Sequence, residues 1–312
     1  MNDWNEELFD SNTVEKAVRK GKQKSIALMI GISIFVFVLF TMINLLVYSY
    51  TSNRAFEARD AYVQLTTPNG YISQTSDSKG LLGGETHYKV SKDMKIKSPV
   101  VEQNHYSFGL LPSLTISRGA GGKIGVGEEK WLANYKENGW RELMFFHPAI
   151  DYQRYKNDWE WVEEMEEDKI YELALSFDRP YSYDELPLKV LSSVSWLWLN
   201  TYSEEDMEVL EKEAIEHDAS STFIKEGHAL GFSTRHLDSP GLFQDNYDEF
   251  LTRLETSDWG SHQEVHDRMV DMASEELEIL GIVVYGTKEE LESIINRPYI
   301  KAVSLGGMID NY

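Results

Sequence analysis

Ile26 to Tyr48 read IALMIGISIFVFVLFTMINLLVY, twenty-three positions without a charged side chain. At about 1.5 Å rise per residue, such a helix spans a hydrocarbon core about 30 Å thick with modest tilt. A helix also satisfies its own backbone hydrogen bonds, as lipid requires. A cleavable signal peptide has a shorter apolar run and a small-residue cleavage site. The SYTSNRAF that follows this run offers no such site, so the expectation is a retained anchor. Basic residues near the ends set its direction. Lys16, Arg19, Lys20, Lys22 and Lys24 precede the run, and only Arg54 and Arg59 follow closely. The positive-inside bias predicts a single-pass protein of the cell membrane, with a cytoplasmic N-terminus and the large C-terminal part outside.

Charge divides the chain at the same place. Residues 1–24 hold five acidic and five basic side chains, so the net charge of −22 arises entirely after them. An outer part this acidic is repelled by DNA and by anionic lipid, and direct nucleic-acid binding is not expected. There is no cysteine, which removes disulfides and thiolate chemistry.

Residues 1–25 are too few for a core of their own. Asp10, Ser11 or Asn12 starts a helix that places Val14, Ala17 and Val18 on one face, at i, i+3, i+4 spacing. Trp4, Leu8 and Phe9 add apolar anchors, of the kind a helix lays into a partner's groove. The alternative is a tail whose lysines only fix topology or touch anionic lipid.

After the anchor, residues 49–146 read as a β-rich region and 147–312 as an α+β domain. Residues 49–64 are a stalk or a continuation of the membrane helix. The P-N-G at Pro68 to Gly70 signals a turn, and the loose alternation from His87 onward suits half-exposed strands. Further on, IYELALSF (170–177), VSWLWL (194–199), ILGIVVYG (279–286) and IKAVSLG (300–306) read as strands. Helices are expected over 203–217, over 262–280 as one long amphipathic element, and over 287–296, where Thr287 and Glu290 form a capping box. Ser182 and Glu185 form another. Two β-α-β units therefore bracket the domain, and a sheet with helices on one side is the natural layer solution.

Catalytic patterns fail on spacing. HQEVH, His262 to His266, puts two histidines on one helix face, but the position after the first histidine is Gln263 where a zincin has its general base. The pair reads as ordinary surface histidines. The glycine-rich stretch from Arg118 to Gly127 has Lys123 followed by Ile124, not by the Ser or Thr of a phosphate loop. EEMEED, Glu163 to Asp168, is a solvated face. No metal, cofactor or catalytic residue is assigned. Trp196 and Trp198 share one strand face and either fill a sheet–helix interface or form a contact outside the cell. Trp131, Trp140, Trp159 and Trp161 could line a further contact surface.

Three stretches carry a likeness to a known family. VEKAVRKGKQKSIALMIGISIFVF (14–37) resembles the N-terminal segment and membrane helix of the membrane-bound sigma-factor regulators of Gram-positive bacteria, the anti-sigma factors of extracytoplasmic-function sigma factors. YELALSFDRPYSYDEL with VSWLWLNTYS (171–203), and ILGIVVYGTKEELESIINRPYIKAVSLGG (279–307), resemble the C-terminal domain of that family. The resemblance implies that the cytoplasmic segment holds an extracytoplasmic-function sigma factor at the membrane. It implies that the outer domain answers to cell-envelope stress or to an accessory membrane protein, and that the protein is not an enzyme. Trp4, Leu8, Phe9, Val14 and Val18 are the sigma-contact residues that the physical reading selects. One helix transmits bending poorly, so a homo-oligomer rearrangement, a partner or cleavage would carry the signal; Gly31 and Ser33 are small enough for close helix packing. A non-catalytic adaptor or sensor subunit of an envelope complex, a membrane-anchored surface hydrolase and a transport accessory protein are the alternatives.

Overall fold

In this computed structural model the described residues are 11–110, 123–124, 134–152, 154–186, 194–216, 223–234 and 240–311. Trp4, Leu8, Phe9, Trp131 and most of the glycine-rich stretch lie outside them. Helix α1, Ser11–Thr66, is 56 residues long, about 84 Å at helical rise. It takes the second of the two readings of residues 49–64 and continues through them. Proline stops it. Pro68 cannot extend the hydrogen-bond ladder and disfavours helical backbone at Thr67. Asn69 then turns the chain at φ 56°, a left-handed conformation that asparagine tolerates. Between Ile26 and Leu46 the apolar side chains face outward: Phe35 is 68% and Phe37 70% exposed. This helix is long and apolar enough to cross a membrane.

The described residues fall into two compact units. One holds α1 through Ser52, with residues 78–85 and 107–110. The other holds Asn53–Asp77, Thr86–Tyr106 and the described residues after them. A three-stranded sheet contains β1 (Gly70–Gly80), β2 (Gly83–Lys92) and β3 (Val100–Gly109) in that order, which makes the early region β-rich as the sequence suggests. Two small pairs follow, β4 (Lys123–Ile124) with β5 (Asn134–Tyr135), and β6 (Met144–Phe145) with β9 (Ile224–Lys225).

The second unit is organised on a five-stranded sheet. Its strands are β7 (Lys169–Tyr181), β8 (Val194–Leu199), β10 (Gly231–Ser233), β11 (Ile279–Gly286) and β12 (Ile300–Asp310), in the order β10-β8-β11-β7-β12. Each neighbouring pair is antiparallel. β11 and β12 therefore run parallel to each other and are joined by a helix, a β-α-β arrangement in split form with β7 between them; β7 and β8 are likewise parallel, with β11 between them. Gly281 sits at an irregularity in the β11 register, where an added Cβ would lie 2.5 Å from the Leu175 carbonyl oxygen.

Both faces of this sheet are covered, which corrects the one-sided layer reading. Leu173, Leu175, Leu197, Leu199, Ile282 and Val284 point into one core. Their alternates Ala174, Trp196, Trp198 and Val283 point into another, with Leu143, Phe145 and Ile224. Period-two alternation within a continuous apolar run means burial on both faces. The helices of this unit are α2 (Trp159–Glu164), α3 (Glu204–Glu216), α4 (Pro240–Thr256), α5 (Gly260–Met269) and α6 (Lys288–Ile295). Phe243, Tyr247, Phe250 and Leu254 of α4 and Leu291, Ile294 and Ile295 of α6 pack into the first core. Leu65, near the end of α1, is in the same core. The expected long helix from His262 ends at Met269, because its apolar period lapses: Val270 and Met272 are exposed and the chain turns through Ser274–Glu276 into β11. At α6 the Thr287 side chain accepts from the Glu290 amide, and the Glu290 carboxylate accepts from the Thr287 amide, completing the capping box.

Candidate functional site

The most unusual chemistry of the second unit lies inside it. Glu172 is the one charged side chain in the apolar strand IYELALSF, and it is 1% exposed. Lys92, at the end of β2, is fully buried and places Nζ 3.0 Å from both Glu172 carboxylate oxygens and 3.0 Å from Glu226 Oε1. Trp140 Nε1 donates to Glu172 at 2.8 Å, Lys136 Nζ donates to Glu226 at 3.1 Å, and the Leu143 amide donates to Glu226 at 3.0 Å. Burial raises the Glu172 pKa, and Lys92 offsets this only in part. Burial would raise Glu226 too, but Lys136 and Lys92 outweigh it and hold that carboxyl well below the usual range. Paired lysines and carboxylates with added donors meet the condition under which buried charge is tolerated. Sequence reasoning missed this cluster, although the lone glutamate of β7 was a signal that a buried cation stands opposite.

A second group surrounds His147, which is 3% exposed. Its Nδ1 accepts the Ala149 amide at 3.2 Å, and its ring meets Trp198 and Tyr202 edge to face at 6.2 and 5.2 Å. Burial lowers its pKa from 6.5 to about 4, against a smaller opposite effect of Asn200. His262 behaves alike: it is 5% exposed, shares a 2.8 Å hydrogen bond with Ser257 through Nδ1, and is lowered by burial to about 4. This corrects the reading of the HQEVH pair as surface histidines, since only His266 is even partly open. The rings of His87, on β2, and His105, on β3, lie 5.6 Å apart.

A pH dependence follows from the two buried histidines. Each binds its proton more weakly folded than unfolded, so the unfolded chain takes up more protons as pH falls below 6.5. Stability contributed by the neutral rings is complete above that pH and is lost on acidification toward about 4. Between pH 7 and 5 the expected loss is on the order of 2 kcal/mol per histidine. Urea unfolding between pH 7 and 5 checks it: the His262→Gln variant should show a shallower decline than the parent protein. Equal slopes would sink the assignment.

Of the residues singled out by sequence, Val14 and Val18 lie on α1, 45% and 65% exposed, and the basic cluster Lys16, Arg19, Lys20, Lys22 and Lys24 lies exposed on the same helix. Trp196 and Trp198 are buried in full, 6.0 and 5.0 Å from the Phe145 ring, so of their two readings the structure gives them the core. Trp140 and Trp159 are also buried, whereas Trp161 is 40% exposed beside Arg141. Glu163, Glu164, Glu166, Glu167 and Asp168 are exposed.

Two family models match the chain. Residues 15–98, which include the apolar helix and β1 and β2, match the sigma factor regulator N-terminal domain. Residues 162–307, which include the five-stranded sheet, match the sigma factor regulator C-terminal domain. The chain thus carries both domains of a sigma factor regulator, and these are regulatory modules. No curated protein and no solved structure matches it.

Proposed function

We propose that this protein is a membrane-anchored anti-sigma factor that holds an extracytoplasmic-function sigma factor through residues 1–25 and is regulated by its outer domain. The observation that carries the reading is the joint match: one chain has the N-terminal regulator domain over its apolar helix and the C-terminal regulator domain over its mixed α/β sheet. The basic cluster Lys16 to Lys24 supports a cytoplasmic tail through the positive-inside bias. Trp4, Leu8, Phe9, Val14 and Val18 supply the apolar contacts. A standard interface engages roughly 20–30 residues a side, so nearly the whole tail takes part. A Gram-positive envelope, where stress or an accessory membrane protein acts on the outer domain, suits a chain without cysteine.

Full-length protein in lipid nanodiscs, titrated with purified extracytoplasmic-function sigma factors, tests this. One sigma factor should bind saturably. Joint Trp4→Ala, Leu8→Ala and Phe9→Ala substitution should weaken binding by about a hundredfold or more, as loss of clustered apolar anchors does. Silence of the parent protein toward every sigma factor, or undiminished binding by the triple variant, would overturn the proposal and leave an envelope adaptor as the reading.

A further inference from the structure

The hairpin of β2 and β3 gathers two imidazoles and a carboxylate at one place. Glu85 and His87 stand two residues apart on β2, and His105 stands on β3, its neighbour in the sheet. Side chains two apart on a strand share one face. The rings of His87 and His105 lie 5.6 Å apart across the strand pair. Backbone hydrogen bonds hold the pair on both sides of them. The Lys92 amide donates to the Pro99 carbonyl at 3.1 Å, and the Leu110 amide donates to the Leu82 carbonyl at 2.9 Å.

The three side chains offer a nitrogen from each imidazole and a carboxylate oxygen, and these ligand atoms all lie within 4.8 Å of one another. A tetrahedral zinc ion with bonds of about 2.0–2.1 Å holds its ligand atoms about 3.4 Å apart. The His87 ring is exposed, so rotation about its side-chain bonds can close that difference without disturbing a core.

The donor set selects the ion. Imidazole nitrogen suits zinc and its transition-metal neighbours, whereas calcium and magnesium take oxygen ligands. Two histidines and one carboxylate are also the protein ligands of open zinc sites, which leave the fourth position to water. A recess of about 180 Å³ adjoins the pair, lined by both histidines and by Thr75, Ser76, Gln103 and Asn104 among others. It gives a fourth ligand room and polar neighbours. Glu85 and His87 alternate along β2 in sequence, but only the pairing with β3 adds the third donor.

We propose that Glu85, His87 and His105 form a binding site for a zinc ion that clips β2 to β3, with water in the fourth position. An ion that binds the folded chain and not the unfolded one stabilises the fold, so zinc supply sets how firmly this hairpin is held. The inference is independent of the sigma-factor reading, and its test needs no sigma factor.

The test uses the full-length chain in lipid nanodiscs, purified without a histidine tag and stripped with a chelator. Zinc chloride is titrated in by isothermal titration calorimetry, with magnesium chloride and calcium chloride as comparison ions. The tightest step should take one zinc ion per chain, and neither comparison ion should match it. His87→Gln, His105→Gln and Glu85→Gln should each weaken that step by about tenfold or more. His266→Gln, which removes a histidine from α5, should leave it unchanged. Thermal unfolding separates a lost ligand from a lost fold: without metal the parent protein and His87→Gln should share one midpoint, and zinc should raise that of the parent alone. Absence of the tight step in the parent, an unchanged step in His87→Gln, an equal loss in His266→Gln, or binding of magnesium or calcium as tight as that of zinc would overturn the proposal.

Discussion

Replacing Lys92 by methionine should destabilise the second unit by roughly 3–5 kcal/mol at neutral pH, the cost of removing one partner from a buried ion pair. The side-chain stem is kept, so little packing is lost. What is lost is the ammonium that stands 3.0 Å from both Glu172 and Glu226. Glu226 keeps Lys136 and the Leu143 amide, but among the described residues Glu172 keeps only the Trp140 indole. The damage therefore concentrates on Glu172, whose pKa burial already raises. In the variant it rises further, and the sign of the pH effect follows. A carboxyl with a folded pKa above its unfolded value favours the fold below the unfolded pKa, and that stability is lost as pH climbs through the folded pKa. The variant should come closest to the parent protein in mild acid and fall away toward pH 7. Adding Glu172→Leu should restore much of the loss, because an uncharged pair of similar volume leaves nothing to desolvate. Urea unfolding followed by tryptophan fluorescence measures all three. A loss under about 1 kcal/mol for Lys92→Met would mean that water reaches Glu172 and that the cluster is not sealed.

Trp198→Ala is expected to cost about 3–5 kcal/mol, in the range of large aromatic truncations in a packed interior. Its ring is fully buried and is shared by Phe145, His147 and Tyr202. Neighbours on a sheet cannot collapse into the space, since β8 is held by β10 and β11 on its two sides. Trp198→Phe should recover a large part of the loss. The measurement also separates the two roles the sequence allowed. A tryptophan kept for an outer contact would leave the unfolding midpoint alone and change only binding, whereas a core tryptophan moves the midpoint.

Much of this architecture is legible from residues. The uncharged run from Ile26 to Tyr48 announces a helix whose surface water does not suit. The P-N-G at 68–70 ends that helix because proline must. The four long strands of the main sheet and the Thr287 cap are local properties, written in alternation and in the capping chemistry of one turn. Helix α4 was equally readable, with Phe243, Tyr247, Phe250 and Leu254 at helical spacing after Pro240, but the aromatic content disguised it. The burial of both sheet faces was also present in VSWLWL and ILGIVVYG, where no polar residue marks an outer side.

The remainder depended on which distant segments meet. Lys92 is 80 residues from Glu172 in the chain, and His147 is separated by two strands, β7 and β8, from Tyr202, whose ring it meets. Nothing in KVSKDMKIK separates the one buried lysine from its solvated neighbours, because burial is imposed by the partner strand and not by the residue. Strand order, likewise, is a long-range choice: period-two alternation tells each strand which side chains to bury but not which strand lies beside it. The sequence alone therefore determined the apolar helix, the strands and the caps, whose energetics close within a few residues. Tertiary structure alone decided the antiparallel order of the sheet, the sealed charge cluster and the buried ring of His147 against Trp198 and Tyr202, because each exists only when side chains far apart in the chain share one low-dielectric interior.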